Sequence, residues 1–187
     1  FGSVKGRKTW LRWLGLGVLG FAVVIVAWEI WGPKTALDRA KKMEGIVMAT
    51  SISMAVENYH VEYDRLPGVA DGSVSTDGEP GLTVLRMLLA LEGDGPDVDN
   101  ERSVVFLQGK SARDGQGGIV YGEGETVEGI FDRSGNPYTI FLNVEEADTL
   151  EFLWGGEPVR LRGKLVAVAS PGKDRVEGTP DDITTWR

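Results

Sequence analysis

A sixteen-residue stretch without a charge, WLGLGVLGFAVVIVAW from Trp13 to Trp28, places the strongest constraint on this chain of 187 residues. An apolar run of roughly 20 residues is long enough to cross the core of a bilayer. Tryptophans stand at both margins of the run, and residues 1–12 are basic without any acid. We therefore predict a transmembrane helix over residues 13–31, with the basic segment 1–12 in the cytoplasm. A cleaved signal peptide is the alternative, although the bulky residues at the end of the run fit a cleavage site poorly.

Charge and composition exclude several classes of function. The chain has 28 acidic and 20 basic residues, a formal net charge of -8, and an acidic protein of this kind repels the phosphate backbone of a nucleic acid. It has no cysteine and one histidine, which rules out disulfides, thiolate zinc sites and histidine-rich metal sites. Since no motif for a nucleophile with a base accompanies that histidine, we predict that the protein is not an enzyme.

A long amphipathic helix is predicted for residues 32–66. Apolar residues recur there at intervals that place them on one helical face, and charged residues occupy much of the rest. The sequence Leu66-Pro67-Gly68 then ends the helix.

Residues 67–187 are predicted to form an α+β domain outside the cytoplasm. A short helix is indicated at residues 82–91, where apolar residues dominate. Strand signals follow it at Ser103–Leu107, Gly118–Tyr121, Pro137–Asn143, Val159–Leu161 and Leu165–Ser170. The predicted fold class is therefore α+β: one N-terminal transmembrane helix runs into a long amphipathic helix, which packs on a small antiparallel β-sheet.

The C-terminal loop is the strongest candidate for a binding site. It follows the last predicted strand, is rich in glycine and proline, and contains four acids within nine residues: Asp174, Glu177, Asp181 and Asp182. Carboxylate and carbonyl oxygens on a flexible loop are what Ca²⁺ requires. A solvated acidic turn, neutralised by the neighbouring Lys173 and Arg175, is the other interpretation of the same residues.

Three motifs in order give the chain a family resemblance: YDRLPG at residues 63–68, DRSGNPY at 132–138 and SPGKDRVEGTPDDITTW at 170–186. Together with an apolar span that runs into a long helix, they resemble the pilin-like proteins, and are most similar to the major pseudopilins of type II secretion systems. The resemblance implies that the C-terminal loop binds calcium. The ligands it implies are the carboxylates of Asp174, Asp181 and Asp182, with Glu177 and Thr179 as further candidates. It also implies that the turn at residues 132–137 is structural.

The same resemblance sets the functional expectation. We expect a membrane-anchored structural subunit of a type II secretion or type IV pilus-like assembly, in the bacterial inner membrane, with its C-terminal domain in the periplasm. Its partners would be the membrane, other pilin-like or secretion-system subunits, and copies of itself. Processed pilins resemble one another in having phenylalanine first and glutamate fifth, whereas this chain has Phe1 but Lys5. That difference favours the alternative, a single-pass scaffold or binding module of the cell envelope that does not polymerise.

Overall fold

The computed structural model describes residues 36–68, 72–92, 99–112 and 114–186. Residues Lys41–Arg187 form one compact unit, and residues Phe1–Ala40 form another, of which only the helical residues 36–40 are described. The segments 41–68, 72–92, 99–112 and 114–186 of the unit Lys41–Arg187 contain two α-helices, a short 3-10 helix at Glu123–Glu125 and several antiparallel strand pairs.

The long helix is present as α1, whose described residues are 36–63. One face of it is fully buried, because small and apolar residues recur there with helical spacing: Ala49, Ile52, Ala55, Val56 and Tyr59. The helix ends where Asp64 takes a positive φ of 53° and donates its N–H to the carbonyl of His60 at 2.8 Å. Pro67 then prevents the helix from continuing.

The remaining elements, in chain order, are β1 (Ser73–Ser75), α2 (Glu79–Leu89), β2 (Gly118–Tyr121), β3 (Val127–Phe131), β4 (Thr139–Leu142), β5 (Thr149–Trp154), β6 (Glu157–Arg162), β7 (Val166–Ser170) and β8 (Ile183–Thr184). The central sheet has four antiparallel strands in the order β1-β4-β7-β8. β2 pairs with β3, and β5 pairs with β6, in two separate two-stranded sheets.

Alternation along the central strands creates two hydrophobic cores. On β4, Ile140 and Leu142 join the larger core, which contains residues of α1 and α2, while Phe141 between them joins a smaller one. Successive side chains of a strand point to opposite faces, so these two cores lie on opposite sides of the sheet. The β5–β6 hairpin covers the second side and contributes Phe152 and Trp154. The central sheet is therefore a middle layer between helices and a hairpin.

An aromatic cluster fixes the hairpin to the sheet. Phe141 stacks on Phe152 with ring centroids 3.9 Å apart, and Trp154 and Trp186 meet at 6.3 Å with their rings nearly perpendicular. Such aromatic pairs add about 0.5–1.5 kcal/mol each beyond the area that they bury. Because Trp186 follows the C-terminal loop, the cluster also holds the far end of that loop in place.

The predicted fold class needs a correction. No helix among residues 36–68, 72–92, 99–112 and 114–186 is long and apolar enough to cross a membrane. Within these residues α1 is the long helix, and charged residues such as Arg39, Lys41 and Glu44 make it amphipathic instead of apolar all round. The predicted span at 13–31 and the basic segment 1–12 lie outside the described residues. The architecture that the structure supports is an α+β arrangement of helices and antiparallel sheets.

One predicted strand is also wrong. Residues 103–107 are not paired as a strand, because the N–H groups of Phe106 and Leu107 both donate to the carbonyl of Leu88 in α2, at 2.9 Å each. The segment therefore lies against a helix end, where no neighbouring strand offers a ladder of carbonyls.

Candidate functional site

The loop between β7 and β8 contains all five of the predicted calcium ligands. It is ordered by hydrogen bonds that main-chain amides donate to its own carboxylates. Glycine makes one close approach possible: at Gly172, with φ of 70°, an added Cβ would overlap the main-chain carbonyl of Asp181 and lie 3.0 Å from its carboxylate. The loop is thus folded tightly on its own acids.

Asp181 is the centre of the loop. Its Oδ2 accepts from the amides of Lys173 at 2.7 Å and Asp174 at 3.0 Å, and its Oδ1 accepts from the hydroxyl of Thr179 at 2.7 Å. Partial burial opposes ionisation and raises the pKa, but the hydrogen bonds from Thr179 and from these amides outweigh it and lower the pKa of Asp181 to about 2. The carboxylate is therefore ionised at any physiological pH.

Asp182 joins the loop to the β5–β6 hairpin. It is 3% exposed, and its Oδ2 accepts from the indole N–H of Trp154 at 2.7 Å and from the amide of Gly178 at 2.9 Å. Trp154 is the last residue of β5 and is itself buried. A buried carboxylate with two donors on one oxygen is a strong structural contact, since charged acceptors form stronger hydrogen bonds than neutral ones.

Thr179 brings these two acids together. Its hydroxyl lies within hydrogen-bond distance of three acceptors: Asp181 Oδ1 at 2.7 Å, the Val176 carbonyl at 3.2 Å and Asp182 Oδ1 at 3.5 Å. A hydroxyl has one hydrogen to donate. The three acceptor oxygens therefore converge on Thr179, and carboxylate and carbonyl oxygens are the ligands that Ca²⁺ prefers.

The other two predicted ligands point elsewhere. Asp174 accepts from the amide of Val176 at 2.8 Å, and Glu177 accepts from the amide of Gly155 in the hairpin turn at 3.2 Å. Each of these acids thus has one oxygen committed to a main-chain donor. In the part of the chain that the structure describes, no group of three or more acidic, histidine or cysteine side chains could hold a metal ion. The donor set that does converge, two carboxylates and a hydroxyl, consists of the hard oxygens that Ca²⁺ prefers.

The predicted structural turn at residues 132–137 lies at the base of the loop. Asp132, 1% exposed, accepts from the amides of Ser134 at 2.7 Å and Asn136 at 2.9 Å, and from the hydroxyl of Ser170 at 2.8 Å. The side-chain amide of Asn136 donates to the Gly172 carbonyl. The turn thus anchors the first residues of the C-terminal loop, a contact that chain order alone did not indicate.

Helix α1 presents a second candidate surface, away from its buried face. Four apolar side chains spaced 4, 7 and 7 residues apart form an exposed stripe: Met43 at 58% exposure, Val47 at 61%, Met54 at 56% and Val61 at 82%. Residues spaced in this way lie on one side of an α-helix. We call these four residues the apolar stripe.

Comparison with known proteins gives no relative. No protein-family model, no curated protein and no solved structure matches this chain. The resemblance to pseudopilins therefore stays a prediction.

Proposed function

We propose that the protein is a pilin-like structural subunit that assembles with other subunits through α1, with a C-terminal loop that calcium stabilises. The observation that carries the proposal is the apolar stripe. A solvated helix normally places polar residues on its outer face, and exposed apolar side chains in a row are typical of a surface that another helix covers.

The energy available from the stripe favours many weak contacts. Full burial of a Val or Met side chain gives about 1.5–3 kcal/mol, so covering four half-exposed ones gives roughly 3–6 kcal/mol. Association costs at least about 4 kcal/mol in lost freedom of motion. A single pair of helices would therefore separate readily. Subunits that each contact several neighbours along the stripe would stay together, as in an assembly of many copies.

Calcium would be held by Asp181, Asp182 and Thr179. The ion would supply positive charge beside these two neighbouring carboxylates. Asp181 and Asp182 provide the charge that attracts it, and the Thr179 oxygen can coordinate the ion when its hydrogen turns to the Val176 carbonyl. A ligand that binds only the folded state stabilises that state in proportion to the logarithm of its concentration.

Cysteine crosslinking of the full chain in its membrane fraction tests the assembly, because the natural sequence has no cysteine. The double variant Met43→Cys/Val61→Cys places one thiol near each end of the stripe. Oxidation should give a ladder of many crosslinked copies. The matched control, Val144→Cys/Leu153→Cys, uses two apolar residues that are also exposed, at 42% and 66%, but lie outside α1. It should give no ladder.

Two results would reject the assembly. A single defined small oligomer would favour the alternative of a scaffold that does not polymerise. Equal ladders from the stripe pair and the control pair would show random collision. The predicted location, in the inner membrane with the C-terminal domain in the periplasm, concerns residues 1–31 and stays a prediction.

Thermal unfolding of the full chain in CaCl₂ and in chelator tests the loop. Calcium should raise the melting temperature, and Asp181→Asn should abolish that rise. Glu145→Gln, a change at an exposed acid outside the loop, should preserve it. An equal melting temperature in calcium and chelator would reject calcium binding and leave the assembly proposal standing.

A further inference from the structure

An open β-edge lies beside β2. Residues 110–112 run parallel to this strand: the amide of Ile119 donates to the Lys110 carbonyl at 3.0 Å, and the amide of Ala112 donates to the Ile119 carbonyl at 2.7 Å. In a parallel pair, the residues between those that bond inward direct their N–H and C=O groups outward. Those residues are Gly109 and Ser111. Both are exposed, and neither amide donates to a residue that the structure describes.

A groove separates this edge from α1. One part of it is a cavity of about 250 Å³ with largely apolar lining, including Val47, Met48 and Phe131. Gly109 forms part of the wall, and a Cβ added there would lie 3.1 Å from Met48 Cε. A second hollow of about 280 Å³ shares Ser51 with the first and continues along α1. The groove is therefore long enough for several side chains of an extended segment.

Positive charge lies at one end of the groove. Lys110 and Arg133 both pair with Glu44, and their side chains remain 52% and 44% exposed. The hydrogen bond from Lys110, and then that from Arg133, lowers the pKa of Glu44, so this carboxylate is ionised. Two cations against one carboxylate leave one excess positive charge in a chain whose net charge is -8. This local charge is complementary to an acidic ligand.

We propose that this groove binds an extended, acidic segment of a partner protein by strand addition. The segment would pair its main chain with the outward N–H and C=O groups of Gly109 and Ser111. It would place an apolar side chain in the cavity and a carboxylate beside Lys110 and Arg133. Main-chain pairing gives affinity in this mode of recognition, and the pockets for alternate side chains give specificity. The groove shares Val47 and Met54 with the apolar stripe, whereas Met43 and Val61 are not among the residues that line it. The site goes beyond the assembly proposed above, because Gly109, Ser111, Lys110 and Arg133 lie outside α1 and take no part in the stripe.

Selection from a random heptapeptide display library against the full chain tests the proposal. The selected peptides should share an acidic residue at a fixed distance from an apolar one. A synthetic peptide of the selected sequence is then labelled, and its binding is measured by fluorescence anisotropy. Lys110→Glu and Arg133→Glu should each weaken binding at least tenfold. The control Arg160→Glu, at an exposed arginine of β6, should leave binding unchanged.

N-methylation of the peptide tests strand pairing without altering the protein. Methyl groups on alternate amides should abolish binding, and those on the intervening amides should be tolerated, because every second amide of a strand faces the same neighbour. Three results would overturn the proposal: failure to select any peptide, selected peptides whose binding is insensitive to the charge reversals, or N-methylation without a period of two. Displacement of a second copy of this chain by the peptide would also overturn it, since the groove would then be a contact between copies.

Discussion

The contact between Asp182 and Trp154 should carry much of the stability of the C-terminal loop. Asp182→Ala removes the acceptor for the buried indole N–H, now 2.7 Å away, and for the amide of Gly178. A buried donor left without an acceptor costs about 1–3 kcal/mol. Gly178 is exposed, so water can replace its acceptor and the indole accounts for most of the loss. We expect a total cost of about 3 kcal/mol, or a fall of roughly 10 °C in the melting temperature.

Two partner variants separate this contact from other effects of the change. Asp182→Asn keeps a carbonyl oxygen for the indole and should cost about 1 kcal/mol. Trp154→Phe removes the donor, together with part of the ring volume. In the double variant Asp182→Ala/Trp154→Phe, the two costs should fall short of additive by about 2 kcal/mol, because the double variant leaves no donor unpaired.

Urea unfolding followed by circular dichroism measures the free energies of unfolding of the unchanged chain and of these four variants. A coupling energy below about 0.5 kcal/mol would refute the reasoning, since it would show that the indole does not depend on the carboxylate. The measurement should be made in chelator, so that the costs of the variants contain no contribution from calcium. If Asp182→Asn then loses the rise in melting temperature that calcium gives, that further loss can be assigned to the ion and not to the indole.

Three further results follow from the same structure. The pKa of Asp181 is lowered to about 2, so the folded state binds fewer protons than the unfolded state between about pH 4 and pH 2. As the pH falls through this range, the protein should lose about 1 kcal/mol of stability, after allowance for solvent screening. Asp181→Asn should remove this loss in acid unfolding curves. Gly155→Ala should cost about 2 kcal/mol more than Gly156→Ala in urea unfolding, because both glycines have positive φ but only at Gly155 would a Cβ meet the loop, 2.7 Å from the Glu177 carbonyl. Gly81→Ala should destabilise by more than about 2 kcal/mol in the same assay, because the new Cβ would overlap the main chain of β1 and force α2 to move.

Elements with a clear period were predictable from the sequence. The amphipathic helix was predicted at residues 32–66, and α1 covers the described residues 36–63. β2 was predicted with its observed bounds, and β4 and β7 to within two residues at each end. In each case apolar residues fill the element at the spacing that its secondary structure requires, so local pattern and tertiary burial agree.

Elements without such agreement were missed. β3 contains Gly129, and a glycine interrupts the sequence signal of a strand because it contributes no side chain to the alternation. β1 and β8 have three and two residues, too few to show alternation. β5 did have a signal: the large apolar residues Leu150, Phe152 and Trp154 recur at every second position, and a glycine pair follows them, as in a tight hairpin.

The candidate site was predictable in place but not in its contacts. The acids of the C-terminal loop were identified from glycine, proline and charge. Trp154 lies 28 residues before Asp182 along the chain, and their bond depends on the hairpin folding over the second face of the sheet. Spacing alone cannot place two such residues together, so the tie between loop and hairpin appears only in the folded structure.

The hydrogen bonds of the loop also bear on how calcium would act there. Main-chain amides already occupy one oxygen each of Asp181 and Asp182, and these bonds shape the loop without an ion. The oxygens that face Thr179 share a single hydroxyl hydrogen among three acceptors. A cation at this point would coordinate these oxygens, and the amide bonds to the opposite oxygens of the two carboxylates would stay in place. Calcium should then raise the stability of a loop that is already folded, and its removal should lower the melting temperature without unfolding the hairpin that rests on Asp182.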